Sequence, residues 1–351
     1  MVSSKMKKLD DLAMFHTCDL HTGSCRNVYS YMDRMATVFD KIVEAVEASS
    51  AKNKVLVVAG DIYDGKMPTE EERNLAINFV VRILELGVHV VVISGNHDFR
   101  DENGVTMIDG FHAIARLSNS HLHVHTTKPG VVDIDELGVS FLCIPCHQHL
   151  TTKKLKQMLM ELRDQAKHEL CYGVVHEAIN GSLSNDVHRM KTDCDVPSVK
   201  GIRGIMLGDI HIQQRLGEGV WYAGSPYQTR INEPTKKGIL VWTPDQVEPK
   251  PLMLKGIPKL IRVTDPKELK KYEGTKHDVK YVGTERVETD APNITVQPNL
   301  QIIEESGKVK QLMEETRHSA LIGLKEHLRR DGLSDDEIRD GYREAKLEVS
   351  R

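Results

Sequence analysis

The sequence predicts an α/β fold in which buried strands form a sheet that is flanked by helices. Short runs of β-branched apolar residues recur from the N-terminus to about Trp242, and such runs are typical of buried strands. In the N-terminal half these runs alternate with segments that carry apolar residues at helical spacing. This β-α-β-α-β order indicates a parallel sheet with crossover helices. With 351 residues, the chain also has room for a small α/β cap domain and a helical tail.

Three strands and two helices are predicted in the N-terminal half. Segment 27–49 has apolar residues at intervals of three and four, which indicates an amphipathic helix. The second helix is expected to begin after Pro68 and Thr69, because acidic residues follow at once, and to stop at Gly87. The predicted elements are a strand at 12–18, a helix at 27–49, a strand at 55–59, a helix at 70–86 and a strand at 88–93.

A cluster of prolines divides the C-terminal third of the chain and predicts a domain boundary there. Upstream of it we expect a helix at 151–168 and strands at 122–125, 130–134, 139–144, 172–175, 204–207, 219–222 and 237–242. Downstream we expect strands at 260–263 and 277–282 around a short helix at 266–272. The predicted domains are therefore a main domain at 1–245, a small α/β cap domain at 246–297 and a helical tail at 298–351.

Composition excludes two broad classes of protein. The net charge is −4, so the chain is not a basic nucleic-acid-binding protein, and any DNA contact must be local or shared with a partner. No apolar run approaches membrane-spanning length, and no signal peptide is evident. The six cysteines are scattered, which favours a reducing cytoplasm. Cys143 and Cys146 form a single CxxC, without the second pair that a zinc site needs.

Polar residues with metal-binding side chains follow five of the predicted strands. Asn96, His97 and Asp98 come directly after the strand at 88–93 and its Gly95. By itself Gly-Asn is good turn chemistry. The same arrangement recurs, however, at four other strand ends, which carry Asp19 and His21, then Asp61, then His176, then Asp209 and His211. Core packing does not explain this recurrence, so we predict a ligand site at the C-terminal rim of the sheet.

The donor set predicts two metal ions. Carboxylate, imidazole and amide donors suit Mn²⁺, Fe²⁺ or Zn²⁺ better than Ca²⁺. Seven ligands are too many for one transition metal, but they suit two ions about 3.5–4 Å apart that share a carboxylate. The candidate ligands are Asp19, His21, Asp61, Asn96, His176, Asp209 and His211. His97 is predicted to act on the substrate, and Asp98 is predicted to fix its tautomer.

In this order the five motifs resemble those of the calcineurin-like metallophosphoesterases. They are Asp-Leu-His at 19–21, Gly-Asp-Ile-Tyr-Asp at 60–64, Gly-Asn-His-Asp at 95–98, the isolated His176 and Gly-Asp-Ile-His at 208–211. Within that superfamily, Tyr-Ala-Gly-Ser-Pro-Tyr-Gln at 222–228 with Lys-Lys-Gly at 236–238 resembles the SbcD-type nuclease subunits of DNA double-strand-break repair, phage recombination versions included. The resemblance spans about residues 12–242, and it implies a β-sandwich flanked by helices.

The resemblance implies a role for each candidate residue. The first metal ion would be held by Asp19, His21 and His211. The second would be held by Asn96, His176 and Asp209. Asp61 would bridge the two ions, and His97, with Asp98 behind it, would assist the leaving oxygen of the scissile phosphate. Most family members carry His where this chain has Asp209, and because a carboxylate still binds metal, we interpret the difference as a retuned site.

The function implied by the resemblance is a Mn²⁺-dependent DNA nuclease. It would act as a 3′-to-5′ exonuclease on duplex ends and as an endonuclease on single strands, together with an SbcC-type coiled-coil ATPase, with a homodimer also open. Two alternatives remain. One is a dinuclear-metal phosphoesterase that acts on phosphoproteins or small phosphodiesters. The predicted cap and tail argue against it, because an enzyme for small substrates needs neither. The other is a non-catalytic DNA-binding scaffold subunit, which only Asp209 suggests.

Two further groups of residues have competing interpretations. Amphipathic stretches on either side of Gly332 leave apolar side chains with no obvious core, and we expect them to bind the ATPase, although packing onto the cap domain is the alternative. These side chains are Leu321, Leu324, Leu328, Ile338 and Tyr342. His121, His123 and His125 alternate along one strand. A solvated edge is favoured over a metal cluster there, since no carboxylate lies nearby before Asp133.

Overall fold

Two six-stranded mixed sheets are the main feature of the computed structural model of this chain. The structure describes residues 11–100, 104–118, 121–146, 150–184, 188–283, 285 and 287–296. The described chain divides into two units. The first comprises the described residues through Ile261 together with Tyr272–Val279 and Ala291–Asn293, and the second comprises the remaining described residues. Both six-stranded sheets belong to the first unit.

The first sheet contains the parallel strands that the sequence predicts. Its strands are β1 (Leu12–Thr17), β2 (Asn53–Ala59), β3 (His89–Ile93), β4 (Leu122–His125), β11 (Gly238–Trp242) and β12 (Lys250–Met253). They lie in the order β12-β11-β1-β2-β3-β4. Strands β1 to β4 are parallel to one another, whereas β11 and β12 pair antiparallel to their neighbours. The sheet is therefore mixed, and the parallel pairing of β1, β2 and β3 is confirmed.

The second sheet is mixed as well. Its strands are β5 (Gly130–Ile134), β6 (Val139–Ile144), β7 (Leu170–His176), β8 (Gly204–Gly208), β9 (Gln214–Gly217) and β10 (Val220–Tyr222). They lie in the order β5-β6-β7-β8-β10-β9. Strands β6, β7, β8 and β10 are parallel, and the edge strands β5 and β9 are antiparallel. Because β7 and β8 are parallel, their last residues lie side by side.

Helices cover the outer faces of the two sheets. The described α-helices are α1 (Tyr31–Glu47), α2 (Glu70–Glu85), α3 (Phe111–Leu117) and α4 (Thr152–Gln165). The predicted start of α2 is confirmed by a capping box, in which the Thr69 hydroxyl accepts a hydrogen bond from the Glu72 N–H at 3.2 Å. The Glu72 carboxylate accepts from the Thr69 N–H at 2.8 Å in return. These bonds satisfy N–H groups that the first helical turn leaves without partners.

The alternation of side chains along the strands divides the core into three layers. On β2, Val55 and Val57 pack between the two sheets, whereas Leu56 and Val58 pack against α1 and α2. A third layer lies between the second sheet and α4, where Leu159 is fully buried. Burying a Val or Leu side chain contributes about 1.5–3 kcal/mol. A strand buried on both faces must be apolar at every position, which explains the unbroken apolar runs of the sequence.

A third, three-stranded sheet follows the six-stranded sheets in the chain. Its strands are β13 (Leu260–Val263), β14 (Asp278–Tyr281) and β15 (Ile294–Val296), and a 3₁₀ helix spans Pro266–Lys271. Strands at 260–263 and 277–282 were predicted, while β15 was not. Strand β12 pairs with β11 of the first sheet although it lies beyond the predicted boundary at residue 245. The division into three domains stays a prediction, and the predicted tail at 298–351 lies outside the described residues.

Candidate metal centre

The strand topology brings the predicted site residues together. Parallel β1, β2 and β3 end at one edge of the first sheet, and parallel β7 and β8 end at the corresponding edge of the second. The loops and strand ends at this edge carry Asp19 and His21 after β1, Asp61 after β2, Asn96 to Asp98 after β3, His176 at the end of β7, and Asp209 and His211 after β8. All of these residues are therefore supplied by the C-terminal ends of strands, as the sequence predicts.

Four of the candidate ligands have a backbone conformation that residues with a side chain avoid. The φ angles of Asp19, His21, Asp61 and Asp209 are 51°, 41°, 55° and 100°. A non-glycine residue held in this region costs on the order of 1–3 kcal/mol. The hydrogen bonds of the loop oppose that cost: the N–H of Asp19 donates to the Gly60 carbonyl at 3.0 Å, for example. Such positions concentrate at functional sites, where the strained turn aims the side chain.

Two glycines of the motifs are required by close approach. Gly60 has a φ of +92°, and a Cβ there would overlap the imidazole of His176. A Cβ on Gly95 would overlap the Asp61 carboxylate. The missing side chains let the loops after β2 and β3 pack directly against two candidate ligands, His176 and Asp61.

Three side chains form a first cluster: Asp19, His21 and His211. The Nε2 atoms of His21 and His211 are 2.9 Å apart, and a carboxylate oxygen of Asp19 lies 3.9 Å from the His21 Nε2. Asp19 and His21 are almost fully buried. Two imidazole nitrogens that face one another beside a buried carboxylate are arranged to share one cation.

A second cluster contains Asp19, Asp61 and His176. The Nε2 of His176 lies 3.6 Å from the Asp61 carboxylate and 3.7 Å from the Asp209 carboxylate. The side-chain oxygen of Asn96 is 3.0 Å from the same nitrogen. The His176 Nδ1 is 2.8 Å from the Ala59 carbonyl, which fixes the ring and leaves Nε2 pointing at the carboxylates. Such a bond to the second ring nitrogen is typical of metal-binding histidines.

Asp61 lies between the two clusters. One of its carboxylate oxygens, Oδ2, is 3.7 Å from the His21 Nε2 and 3.6 Å from the His176 Nε2. The other, Oδ1, accepts a hydrogen bond from the His97 N–H at 2.9 Å. The buried His and Asp clusters are thus consistent with a dinuclear metal site, and the position of Asp61 suits a bridging carboxylate.

The charges of the clusters also fit bound cations. Burial disfavours a charged imidazole, but Asp61, Asp209 and Asp19 outweigh it and raise the pKa of His176 to about 9. Burial raises the pKa of the Asp209 carboxyl, and the neighbouring carboxylates add to that effect. For Asp19, the imidazoles of His211, His176 and His21 outweigh burial and lower the pKa. The carboxylates therefore create a strongly negative potential at the ring nitrogens, and metal ions would replace the protons that this potential attracts.

His97 is held by the main chain of the neighbouring loop. Its Nδ1 is 2.7 Å from the Asp64 carbonyl oxygen. Because a carbonyl only accepts, Nδ1 carries the proton, and Nε2 is the atom left for a substrate. The ring lies edge-on to His21, with ring centroids 4.7 Å apart. His97 also forms a group with His21 and Asp61 that is close enough to hold a metal, so its position beside both clusters admits either role.

The expected contact between Asp98 and His97 is replaced by a different one. The Asp98 carboxylate is fully buried and accepts hydrogen bonds from the N–H groups of Ile62, Tyr63 and Gly95 at 3.0, 3.1 and 2.9 Å. Burial, with Asp61 nearby, raises the pKa of Asp98 to about 7. Asp98 therefore ties the loop after β2 to the loop after β3. The prediction that it fixes the His97 tautomer is wrong, because the Asp64 carbonyl occupies that position.

Residues behind His211 were missed by the sequence analysis. The His211 Nδ1 is 2.8 Å from both the Glu233 carboxylate and the Thr229 hydroxyl. The Glu233 carboxylate also pairs with the nearly buried Lys237 at 2.8 Å. Burial opposes ionisation of Glu233, but hydrogen bonding to His211 and the charge of Lys237 outweigh it and lower the pKa. Only the motif at 222–228 and Lys237 pointed to this segment, since no spacing rule links Glu233 to a histidine 22 residues earlier.

Other side chains near the site have structural roles. The Asp64 carboxylate is 3.2 Å from the His21 Nδ1 and so supports a candidate ligand. The Tyr227 hydroxyl donates to the His21 carbonyl at 3.0 Å. All six cysteines are free, and burial raises the pKa of the Cys146 thiol to about 12. The structure gives the CxxC neither a disulfide nor a reactive thiolate.

The fold and the paired His and Asp clusters define a metallophosphoesterase. The chain belongs to the calcineurin-like phosphoesterase family, whose family model matches residues 14–213. That span contains every candidate ligand and His97. In the described residues, no helix is both long enough and apolar enough to cross a membrane.

Among proteins of known name, the chain is similar to the D component of the nuclease SbcCD of Staphylococcus saprophyticus. The two are 26% identical over 247 residues, which is 63% of this chain and 62% of that protein. The chain thus spans less than two thirds of the length of this relative. Among solved structures, it is similar to the calcineurin-like phosphoesterase YfkN of Bacillus subtilis, with 12% identity, a TM-score of 0.36, and coverage of 61% of this chain and 81% of that one.

Proposed function

We propose that this metallophosphoesterase is the nuclease subunit of an SbcCD-like DNA-processing complex. The observation that carries the proposal is the pair of buried ligand clusters that share Asp19, with Asp61 between them and the His97 ring beside them. That arrangement suits the hydrolysis of a phosphate ester. The choice of DNA as the substrate rests on the similarity to a named nuclease component.

The residues of the site have distinct parts in this function. Two bound divalent ions would supply positive charge to both the attacking and the leaving oxygen of an in-line displacement at phosphorus. Asp61 would hold the two ions at a fixed separation. Asp19, His21 and His211 would hold one ion, and Asn96, His176 and Asp209 would hold the other. Glu233 would orient His211 and increase its basicity, as carboxylates behind metal-binding histidines do.

His97 would assist the leaving oxygen. Its Nδ1 proton is committed to the Asp64 carbonyl, so a second proton must reside on Nε2 before that atom can donate. The imidazolium form would therefore give a proton to the departing 3′ or 5′ oxygen, and the neutral form would accept one in the reverse direction. Because Nε2 is the nitrogen left for the substrate, we assign His97 to the leaving oxygen. Metal binding is the competing assignment.

Mn²⁺ is the ion that we propose for the site. Three aspartates and one asparagine contribute hard oxygen donors beside three imidazoles, and oxygen-rich sites favour Mn²⁺ over softer ions. The proposed partners are duplex DNA ends, single-stranded DNA and an SbcC-type ATPase that would bind the C-terminal tail. A homodimer is compatible with this assignment.

The experiment that tests the proposal compares two classes of substrate in one buffer. The full-length protein is incubated with Mn²⁺ and end-labelled linear duplex DNA or circular single-stranded DNA, and in parallel with p-nitrophenyl phosphate mono- and diesters. We expect degradation of both DNA substrates, release of mononucleotides from the 3′ end, and loss of all activity with a chelator. Hydrolysis of the small esters with no cleavage of either DNA would instead support a small-substrate phosphoesterase.

A pair of variants attributes the activity to this site. Asp61→Asn should abolish cleavage of both DNA substrates, because an amide is a poor bridge between two cations. Asp135→Asn is the matched control, since Asp135 is an exposed carboxylate that pairs with Lys167 and His168. Near-normal cleavage by Asp61→Asn with Mn²⁺ would rule out the dinuclear assignment.

A further inference from the structure

A second group of metal-binding side chains lies at the opposite ends of the strands. His89 is the first residue of β3, His121 precedes β4, and Glu136 lies in the turn between β5 and β6. The catalytic residues follow the last residue of β3, about 13 Å away at about 3.3 Å per residue along the strand. The group is therefore separate from the candidate metal centre.

The topology of the sheets assembles this group. Val90 of β3 pairs with Leu122 of β4, which sets His121 beside His89 on the neighbouring strand. Val91 faces the second sheet, so His89, two residues earlier on the same strand, faces that way too. Glu136 comes from the second sheet and meets the two histidines. Residues from both sheets thus converge on one point.

The distances fit a bound metal ion. The His89 Nε2 is 2.9 Å from a Glu136 carboxylate oxygen, and the ring centroids of His89 and His121 are 4.3 Å apart. One ligand atom from each of the three residues lies within 4.8 Å of the others. Ligand atoms around a tetrahedral Zn²⁺ with bonds of about 2.0–2.2 Å are roughly 3.3–3.5 Å apart. Small side-chain rotations would bring the three donors to that spacing.

His89 is buried, and the ring nitrogens of His89 and of the half-buried His123 are not all satisfied. The side chain of His89 is only 7% exposed, and its Nδ1 has no hydrogen-bond partner among the described residues. The His123 Nε2 also has no hydrogen-bond partner among the described residues, and the His123 ring stacks on His89 with a centroid distance of 5.8 Å.

We propose that His89, His121 and Glu136 bind a zinc ion that joins the two sheets at the end opposite to the phosphoesterase centre. Two imidazoles and one carboxylate are an established ligand set for Zn²⁺, which takes a fourth ligand from solvent. Glu136 is half-exposed, so solvent reaches that position. The ion would hold the β5–β6 turn against the starts of β3 and β4, and so stabilise the packing of one sheet on the other.

The competing interpretation is a simple ion pair between His89 and Glu136. An ion pair between these two residues gives no reason for the second imidazole, that of His121, to lie against the first. Of these two histidines, His121 belongs to the series for which the sequence favours a solvated edge, because no carboxylate lies beside it along the chain before Asp133. The structure supplies Glu136 from the other sheet.

Zinc counting tests the proposal. The full-length protein and two variants, His121→Asn and Glu136→Gln, are dialysed against micromolar Zn²⁺, and the bound metal per chain is measured by mass spectrometry. We expect each variant to retain one zinc ion fewer than the wild-type protein. The affinity for that ion should fall at least about tenfold, since loss of even an outer contact costs 10–100-fold. The rate of Mn²⁺-dependent phosphoesterase activity should be unchanged.

His168→Asn is the matched control. His168 is 3.0 Å from the Asp135 carboxylate, and within the described residues this pair belongs to no larger group of metal ligands. The control should bind as much zinc as the wild-type protein. Zinc should raise the melting temperature of the wild-type and control proteins by more than that of the two variants. Equal zinc counts in all four proteins would overturn the proposal. Because Glu136 is half-exposed, Glu136→Gln should fold normally, so a loss of zinc from that variant cannot be attributed to misfolding.

Discussion

Individual side chains at the candidate metal centre are oriented by groups that are not themselves candidate ligands. The His176 ring is set by the Ala59 carbonyl, His97 by the Asp64 carbonyl, and His211 by Glu233. Each such contact fixes which ring nitrogen is free. These contacts between single residues therefore determine which nitrogen of each histidine can react or bind, and three predictions concern them.

The first prediction concerns His97. His97→Ala should retain the bound metal and the DNA affinity of the wild-type protein, whereas the cleavage rate should fall by about 10²–10⁴-fold, as expected for loss of general acid-base assistance. Single-turnover cleavage and metal analysis of the same sample measure both effects. Loss of metal from the variant would make His97 a ligand, in line with its proximity to His21 and Asp61.

The second prediction concerns Asp209, whose carboxylate is 3.7 Å from the His176 Nε2. An imidazole at this position would remove a negative charge and a hard oxygen donor. Asp209→His should keep cleavage, improve the use of Zn²⁺ or Co²⁺ relative to Mn²⁺, and move the pH-rate profile toward acid. Metal titrations of the wild-type, Asp209→His and Asp209→Ala proteins measure this. An Ala variant as active as the wild type would remove Asp209 from the site.

The third prediction concerns Glu233. Glu233→Gln should weaken Mn²⁺ binding about 10–100-fold, because the His211 ring loses its anionic partner, while the rate at saturating Mn²⁺ stays near that of the wild type. Activity measured across a Mn²⁺ series separates the two effects. Glu248→Gln is the matched control, since Glu248 pairs with Arg215 and Trp221 away from the ligands. A saturating rate that falls with no change in Mn²⁺ requirement would contradict a positioning role.

Contacts between strands of the two sheets decide how the ligands meet. The N–H of Asp209, after β8, donates to the Asp19 carboxylate, after β1, at 3.2 Å. The His16 Nε2 of β1 is 3.1 Å from the Leu207 carbonyl of β8. These bonds hold the end of β1 against the end of β8, so that His211 reaches His21. At the scale of elements, the site depends on these contacts between the two sheets.

The buried His16 predicts a pH-dependent stability. Burial outweighs the hydrogen bond to Leu207 and lowers the pKa of His16 from 6.5 to about 3. The folded chain therefore keeps this ring neutral, whereas the unfolded chain protonates it below pH 6.5. Stability is fully present above that pH and is lost as the pH falls, by about 1.4 kcal/mol per pH unit.

Urea unfolding of the metal-free protein at several pH values measures this effect. In His16→Gln, which retains an N–H donor for the Leu207 carbonyl, the free energy of unfolding should fall less steeply between about pH 6 and pH 4. Comparison at pH 8, where the imidazole is neutral in both states, gives the cost of the substitution itself. Parallel slopes in the two proteins would contradict a neutral His16 in the folded state.

At the scale of the whole molecule, the described residues account for the phosphoesterase centre but not for the proposed partner. The predicted partner site consists of Leu321, Leu324, Leu328, Ile338 and Tyr342, which all lie outside the described residues. An apolar helix face without a core of its own is typical of helix-in-groove binding. The partner assignment thus stays a prediction from the sequence.

Deletion of the residues after Gln301 tests that assignment. The truncated protein should fold, bind Mn²⁺ and cleave DNA, because the ligands lie between Asp19 and His211 and the two sheets end at Met253. It should no longer co-purify with a co-expressed SbcC-type ATPase, whereas the full-length protein should. Retained co-purification would locate the interface elsewhere, and an unfolded product would favour packing of the tail onto the rest of the chain.

The sequence by itself predicted the residues of the candidate metal centre and determined the parallel core of the first sheet. Both follow from local signals: buried parallel strands are apolar throughout, and polar residues at their C-terminal ends face one rim. Only the tertiary structure decided how the second sheet faces the first, because antiparallel edges and sheet packing depend on partners far along the chain. The same holds for Asp98, Glu233 and the His89 group. Their roles depend on contacts across the sheets, which spacing along the sequence does not encode.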